Sequence, residues 1–185
     1  FIGHSVSCSI GLLASIARPG LFDRLVLLGP SPCFLNDPPD YQGGFEREDL
    51  QGLLELMDQN YIGWAQYLAP VVSGQAAGAP ANEPTAELTD SFCSTDPVVA
   101  RVFAQTTFFA DNRADLPKVT RPCLLLQHRV DALAPLAVGD YMHRHLQGSS
   151  LQILDITGHC GHMSHPTEVV AAIRNYLSYA EPAVA

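Results

Sequence analysis

The sequence has 185 residues, of which 47% are apolar and 16% charged, so we expect one folded domain with a substantial core. The formal net charge of −9 argues against nucleic acid or an anionic membrane as partner, because both require a basic face. No apolar run in the sequence approaches the roughly 20 residues that span a bilayer. The five cysteines are scattered without a CxxC pair, which favours reduced thiols and a cytoplasmic protein.

The first 32 residues have the pattern of an α/β core. The end of an apolar strand is followed by a tight turn, a helix over about residues 7–17, and the apolar run 25–28. A short continuous apolar run that ends in Gly-Pro is typical of a parallel strand buried on both faces. Because the sequence has no initiator Met and opens at a strand end, we interpret it as starting inside the domain.

From residue 33 to residue 116 the pattern is helical. One apolar stripe at i, i+3, i+4 and i+7 is formed by Leu50, Leu53, Leu54 and Met57. Further helices are predicted over residues 61–68, 84–93 and 97–110. The last of these begins with Asp96 as N-cap and Pro97 at the first helical position. Residues 73–84, rich in Gly, Ala and Pro, are predicted to form a loop.

Strands and helices alternate again over residues 117–185. Strands are predicted over residues 123–127 and 151–154, helices over residues 135–146 and 166–179, and a frayed tail over residues 180–185. Parallel strands with crossover helices and one helical insertion predict an α/β sheet that carries a cap. We therefore predict a core formed by residues 1–32 and 117–185, and a cap formed by residues 33–116.

The sequence Gly3-His4-Ser5-Val6-Ser7 lies between the first strand and the first helix. In that context a G-x-S-x-G sequence forms a nucleophile elbow, in which a serine occupies a strained turn. The positions two before and two after the serine must be small, because larger side chains would collide with the strand and the helix. Ser7 departs from the glycine of that pattern but is still small, so Ser5 is predicted to be a nucleophile.

A serine hydroxyl needs a base to take its proton and an acid to orient that base. Both should follow later strands, because loops at the carboxyl ends of parallel strands converge on one site. Asp131 follows the strand at residues 123–127, and His159 follows the strand at residues 151–154, so they are predicted as acid and base. Other aspartates are weaker candidates for the acid. Asp155 belongs to a strand end, Asp140 lies within a predicted helix, and no strand precedes Asp111 or Asp115.

The spacing of His159, His162 and His165 beside Cys160 also permits a metal site. The surrounding glycines and proline favour a loop, however, and no carboxylate stands at ligand spacing. We therefore predict no metal, with His162 and His165 as loop-structuring or surface residues.

For the remaining histidines and for Cys8 we predict structural rather than catalytic roles. His4 is expected to pack under the elbow rather than act as the base. Cys8 falls inside the first helix and is predicted to be a small buried packing residue. Exposed or half-buried positions are predicted for His128, His143 and His145.

Further motifs accompany the elbow sequence along the chain. They are Leu28-Gly29-Pro30-Ser31-Pro32, Asp40-Tyr41-Gln42-Gly43-Gly44-Phe45, Asn60-Tyr61-Ile62-Gly63-Trp64-Ala65, Phe92-Cys93-Ser94-Thr95-Asp96-Pro97, Gly158-His159-Cys160 and His165-Pro166. With these motifs the sequence resembles the α/β-hydrolase group that contains the bacterial sigma-B stress-pathway hydrolase RsbQ and the plant strigolactone and karrikin receptors. The likeness spans nearly the whole chain, and the RsbQ-type bacterial members look most similar.

The resemblance implies an α/β-hydrolase fold, in which helices flank a mostly parallel sheet and four helices form an inserted cap, with the early strands missing from this chain. It implies Ser5, Asp131 and His159 as catalytic residues and the amide of Val6 as an oxyanion donor, with a second donor in an earlier loop. It also implies an apolar pocket, whose walls we assign to Phe34, Phe45, Trp64, Leu68, Phe108 and Phe109. An ordinary core position is the alternative for these aromatic residues, and it is the favoured one for Phe109.

Two functions fit the resemblance. The first is a serine hydrolase without cofactor that cleaves a small, mostly apolar ester or lactone. The second is a ligand sensor of the RsbQ type, with slow hydrolysis and a protein partner in stress signalling. Both retain the same three residues, so the sequence does not separate them.

Overall fold

The computed structural model describes residues 1–76 and 78–179. The β-strands in this part of the chain are β1 (Ile2–His4), β2 (Leu25–Leu28), β3 (Cys123–Val130) and β4 (Ser149–Thr157). The α-helices are α1 (Val6–Ala17), α2 (Arg47–Gln59), α3 (Tyr61–Ser73), α4 (Glu83–Ser94), α5 (Pro97–Phe108), α6 (Leu136–His145), α7 (Gly161–Ser164) and α8 (Pro166–Tyr179). A 3-10 helix, Arg113–Lys118, precedes β3.

The strands form one parallel sheet in the order β1-β2-β3-β4. Every residue of β2 is buried, because the sheet is covered on both faces. Leu25 and Leu27 pack with α1 and α6 on one face, whereas Val26 and Leu28 pack with α8 on the other. A strand buried on both faces gains free energy from each apolar side chain, which explains its unbroken apolar sequence. The predicted α/β architecture is confirmed.

Helices α2–α5 are inserted between β2 and β3 and are called the helical segment below. The start of α5 is as predicted: Asp96 Oδ1 accepts hydrogen bonds from the amides of Val98 and Val99, and Pro97 opens the helix. The segment has a core of its own, which includes Leu54, Met57, Trp64, Leu68 and Ala104. This core also contains Cys160, so it continues into the loop that carries His159.

Several boundaries differ from the prediction. Strand β3 runs to Val130 rather than Gln127, because its pairing with β4 continues through an irregularity to Thr157. Helix α3 continues through Pro70 to Ser73, which shortens the predicted loop. Residues 161–164 form one helical turn, α7, where a loop was expected. The predicted tail at residues 180–185 lies outside the described residues, and none of the described helices is long and apolar enough to cross a bilayer.

Candidate active site

Ser5 occupies the turn between β1 and α1. Its φ of 55° lies in a region that residues other than glycine rarely adopt, so the turn stores backbone strain. The Ser5 amide donates a 2.9 Å hydrogen bond to the carbonyl of Leu28, which ties the turn to the end of β2. A small residue is required at Gly3, where a Cβ would lie 3.1 Å from the backbone carbon of Ser7. The chain therefore holds Ser5 at the N-terminus of α1 in a strained conformation.

His159 and Asp131 form a buried hydrogen-bonded pair. Nδ1 of His159 lies 2.7 Å from Oδ2 of Asp131, and because a carboxylate only accepts, Nδ1 carries the proton. The other carboxylate oxygen, Oδ1, accepts from the amides of Leu133 and Ala134 at 2.8 and 3.1 Å. Nε2 of His159 is buried and has no hydrogen-bond partner among the described residues. The pair thus leaves one imidazole nitrogen able to accept a proton.

The pKa of Asp131 lies below its usual range. Burial alone would raise this pKa, but the hydrogen bond from His159 and the electrostatic interaction with its ring lower it, as do the amides of Leu133 and Ala134. Asp131 is therefore ionised at neutral pH. A fixed carboxylate in this position stabilises positive charge on the imidazole.

The end of β2 also borders this pair. Gly29 has a φ of +53°, and a Cβ built on it would lie 3.0 Å from Cε1 of His159 and 3.5 Å from Oδ2 of Asp131. Any side chain at position 29 would therefore be strained and would press on the imidazole. Gly29, which follows β2 directly, therefore contributes to the geometry of the site.

A cavity of about 560 Å³ lies between the sheet and the helical segment. Ser5, Val6 and His159 line it together with residues of α3, α4 and α5. The amide of Val6, the first residue of α1, belongs to the helix N-terminus, where N–H groups have no intrahelical acceptor. None of the described residues that line the cavity is Asp, Glu, Lys or Arg.

Four of the six predicted wall residues line this cavity: Phe34, Trp64, Leu68 and Phe108. The other two are not among the residues that line it. Phe45 lies behind the wall, with its ring edge-on to Phe34 at 6.4 Å. Phe109, for which an ordinary core position was favoured, follows α5 and packs half-buried against the core of the helical segment, with the guanidinium of Arg47 at 5.3 Å from its ring centroid. Aromatic content alone did not reveal which side of the helical segment each ring faces.

Two histidines that the sequence analysis left out of the pocket also line the cavity. The ring of His4 lies 4.7 Å from that of His159 and 4.4 Å from that of His162, between centroids. Burial, followed by the electrostatic interaction with His159, lowers the pKa of His4 to about 3. Burial likewise lowers the pKa of His162. The position of His4 directly before Ser5 was the available sequence signal, since a neighbour of the elbow lies near the cavity.

The remaining candidates do not join the site. His165 bonds to Ser164 rather than to its neighbouring histidines, and the described residues contain no group of three or more His, Cys, Asp or Glu placed to hold a metal ion. Cys8 is fully buried, and burial raises its pKa, which disfavours the thiolate. Asp140 is exposed. The other acid candidates form ion pairs away from His159: Asp155 with Arg129, Asp111 with Arg113, and Asp115 with Lys118.

The sequence has relatives among plant proteins. It is 40% identical over 180 residues to a protein named as a probable esterase in Oryza sativa subsp. japonica, covering 97% of this chain and 65% of that protein. It is 38% identical over 180 residues to karrikin insensitive 2 receptor CA of Petunia hybrida, again with 97% and 65% covered. A strigolactone esterase of Arabidopsis thaliana is 35% identical over 178 residues, with 96% and 65% covered. The chain thus spans about 65% of the length of these relatives.

The structural comparison and the family model agree. The structure of olei00960, a hydrolase from Oleispira antarctica, superposes with a TM-score of 0.91 at 43% identity, covering 97% of this chain and 64% of that chain. The model of the alpha/beta hydrolase family matches residues 1–173. The strained serine turn, the parallel sheet and this match lead to one assignment: the chain belongs to the alpha/beta hydrolase family.

Proposed function

We propose that the protein is a serine hydrolase in which Ser5 is the nucleophile, His159 the base and Asp131 the orienting acid. One observation carries the proposal. Ser5, in a strained turn at a helix N-terminus, lines the same cavity as His159, whose Nδ1 is hydrogen-bonded to the buried carboxylate of Asp131. Relatives named as esterases are consistent with it.

In the proposed first half-reaction, Oγ of Ser5 attacks the carbonyl carbon of an ester while Nε2 of His159 takes the hydroxyl proton. Asp131 keeps the proton on Nδ1 and stabilises the imidazolium that forms. The amide of Val6 donates to the oxyanion, where the N-terminus of α1 also favours negative charge. The imidazolium then protonates the leaving alcohol, and an acyl-serine remains.

In the second half-reaction, Nε2 of His159 takes a proton from water, and the resulting oxygen attacks the acyl carbon. Collapse of the second tetrahedral intermediate returns the proton to Ser5 and releases the acid. The proposed reaction uses only side chains, backbone amides and water, and no cofactor.

The cavity supports a small, mostly apolar and uncharged substrate, such as an ester or a lactone. Its described lining contains no Asp, Glu, Lys or Arg, so a charged group on the substrate would lose hydration without gaining an ion-pair partner from these residue types.

The test is covalent labelling of the full-length protein with a fluorophosphonate probe, which reacts with an activated serine. We expect labelling in the wild type, none in Ser5→Ala, and unchanged labelling in Ser94→Ala, whose serine is exposed at the end of α4. Equal labelling of wild type and Ser5→Ala would refute Ser5 as the nucleophile.

A second candidate function, a ligand sensor with slow hydrolysis, is favoured by one contact. Helix α3 lines the cavity with Trp64, Leu68 and Val72, and the carbonyl of Val72 accepts a bond from the amide of His159. A ligand that shifts α3 would therefore shift the His159 loop as well. In this proposal the helical segment is a cap whose movement is read by a signalling protein in stress regulation.

Two measurements separate these candidates. Fast steady-state turnover with a small change in melting temperature on ligand addition supports the hydrolase, whereas very slow turnover with a large change supports the sensor. For either function we propose a cytoplasmic location, because all five cysteines are free thiols.

A further inference from the structure

His128 is a buried histidine that the proposed reaction does not use. The sequence analysis expected an exposed or half-buried residue, but its exposed fraction is 0%. The physical reason is that β3 continues past Gln127, which places His128 inside the sheet opposite Leu154. Its Nδ1 lies 2.8 Å from the carbonyl oxygen of Gly158 and 3.9 Å from Oδ2 of Asp131. Because a carbonyl only accepts, Nδ1 of His128 carries a proton and donates it.

The other ring nitrogen of His128 faces Gly161. A Cβ at position 161 would lie 2.5 Å from Nε2 and 2.7 Å from Cε1, so the ring fits only because that residue is glycine. Nε2 is buried without a hydrogen-bond partner among the described residues, which is unfavourable. An apolar side chain would fill this space without that cost. What a histidine adds is the hydrogen bond to Gly158.

That bond is one of four on two consecutive residues. The amide of Gly158 donates to the carbonyl of Val130 at 2.8 Å, and its carbonyl accepts from His128. The amide of His159 donates to the carbonyl of Val72 at 2.7 Å, and its carbonyl accepts from Nε2 of His4 at 2.9 Å. All four backbone polar groups that orient the imidazole of His159 are thus held by other elements.

We propose that His128 is a positioning residue, which fixes the loop at residues 158–161 so that His159 meets Asp131 and faces the cavity. The inference rests on the proposed function. The ionisable groups that interact with His128 include Asp131, His159, His162 and His4, and burial lowers the pKa of His128. A neutral ring can hold the loop without adding positive charge beside the imidazolium that His159 becomes.

The experiment compares two variants in the full-length protein. His128→Leu keeps bulk but removes the donor, whereas His128→Asn retains an N–H group where Nδ1 was. We expect the rate of fluorophosphonate labelling to fall roughly 10–100-fold in His128→Leu, because small misplacements of a catalytic group have effects of this size. His128→Asn should stay within about threefold of the wild type, on the same ground. His143→Leu, at an exposed histidine of α6, is the control and should be unchanged.

A second readout does not need activity. The proton on Nδ1 of His159, bonded to Asp131, should give a low-field proton NMR signal that His128→Leu weakens and His128→Asn preserves. An unchanged signal and an unchanged labelling rate in His128→Leu would overturn the inference, and so would equal losses in both variants. The two proposals can also fail separately. If the NMR signal weakens in His128→Leu and is preserved in His128→Asn, but the wild type does not react with the probe, the proposed function is refuted and the positioning role is supported.

The fit between His128 and Gly161 gives an independent check. Gly161→Ala should reduce labelling in the wild-type background, because its Cβ would overlap the ring. In His128→Asn the shorter side chain vacates the space of Nε2, so adding Gly161→Ala should have little further effect. Equal effects of Gly161→Ala in both backgrounds would contradict the contact on which the inference depends.

Discussion

The backbone amide of His159 donates a 2.7 Å hydrogen bond to the carbonyl of Val72, in the last turn of α3. Carbonyls in the last turn of a helix lack intrahelical partners, so the bond satisfies one of them. Close approach of the two backbones requires glycine at position 158, where φ is +107° and a Cβ would lie 2.3 Å from the carbonyl oxygen of Ser73. The helical segment is thereby fastened directly to the loop that carries the proposed base.

Gly158→Ala should break this connection. We expect the free energy of unfolding to fall by roughly 2–4 kcal/mol, from backbone strain plus overlap with Ser73. Labelling of Ser5 by a fluorophosphonate should slow as well, since His159 would move. Urea unfolding and labelling kinetics measure the two effects. The matched control is Gly148→Ala, with φ of +71° and no described heavy atom within 4 Å, and equal losses in both would show that the contact is unimportant.

Gly29→Ala should act on the imidazole more than on stability. Its Cβ would lie 3.0 Å from Cε1 of His159, so the ring must shift by a few tenths of an ångström or more. We expect labelling to slow about tenfold or more, because the base moves relative to Ser5. Gly78→Ala, at φ of +78° without a described heavy atom within 4 Å, is the control for backbone strain. Wild-type labelling in Gly29→Ala would contradict this account.

Asp131→Asn should leave the fold nearly intact and abolish most activity. An amide at this position no longer fixes the proton on Nδ1 of His159, so the imidazole can adopt the tautomer that cannot accept from Ser5. A loss of roughly 10³–10⁴-fold in the labelling rate is expected. Asp155→Asn is the control, because Asp155 is exposed and its side chain bonds to Arg129, away from His159. A loss below tenfold would argue against Asp131 as the orienting acid.

Acidification should destabilise the protein through the histidines whose pKa values are lowered in the folded chain. The pKa of His4 is about 3 in the folded chain against 6.5 in the unfolded one. Its contribution is therefore fully present above pH 6.5 and is lost as the pH falls toward 3, because the unfolded state binds the proton first. Between pH 7 and pH 5 we expect a loss of about 1–2 kcal/mol from this residue.

Urea unfolding at several pH values tests this expectation. His4→Gln keeps an N–H donor for the carbonyl of His159 but does not titrate, so its stability should depend less steeply on pH. The pKa values of His128 and His162 are lowered too, so some dependence should remain in the variant. Parallel curves for wild type and variant would contradict the lowered pKa of His4.

Sequence patterns were informative where a physical requirement is local. The unbroken apolar run of β2, the Asp96-Pro97 helix start and the last helix, Pro166–Tyr179, were all predicted with their correct positions. The pairing of Asp131 with His159 followed from topology, since both stand after strands of one parallel sheet. These features depend on near neighbours in sequence or on a general rule of sheet geometry.

What escaped prediction depends on contacts that are distant in sequence. Gln127-His128-Arg129 looks polar, so the end of β3 was placed too early, although the pairing with β4 continues. The burial of His128 depends on the space that Gly161 leaves for its ring. A contact between residues so far apart along the chain leaves no periodic pattern in the sequence.

The uncharged lining of the cavity has a further consequence for the proposed reaction. Hydrolysis turns a neutral ester into an alcohol and a carboxylic acid, and the acid ionises at neutral pH. A site whose described walls contain no Lys or Arg holds the neutral reactant better than the anionic product. The same apolar surface that favours entry of the substrate would therefore promote departure of the acid, and product inhibition by the carboxylate should be weak.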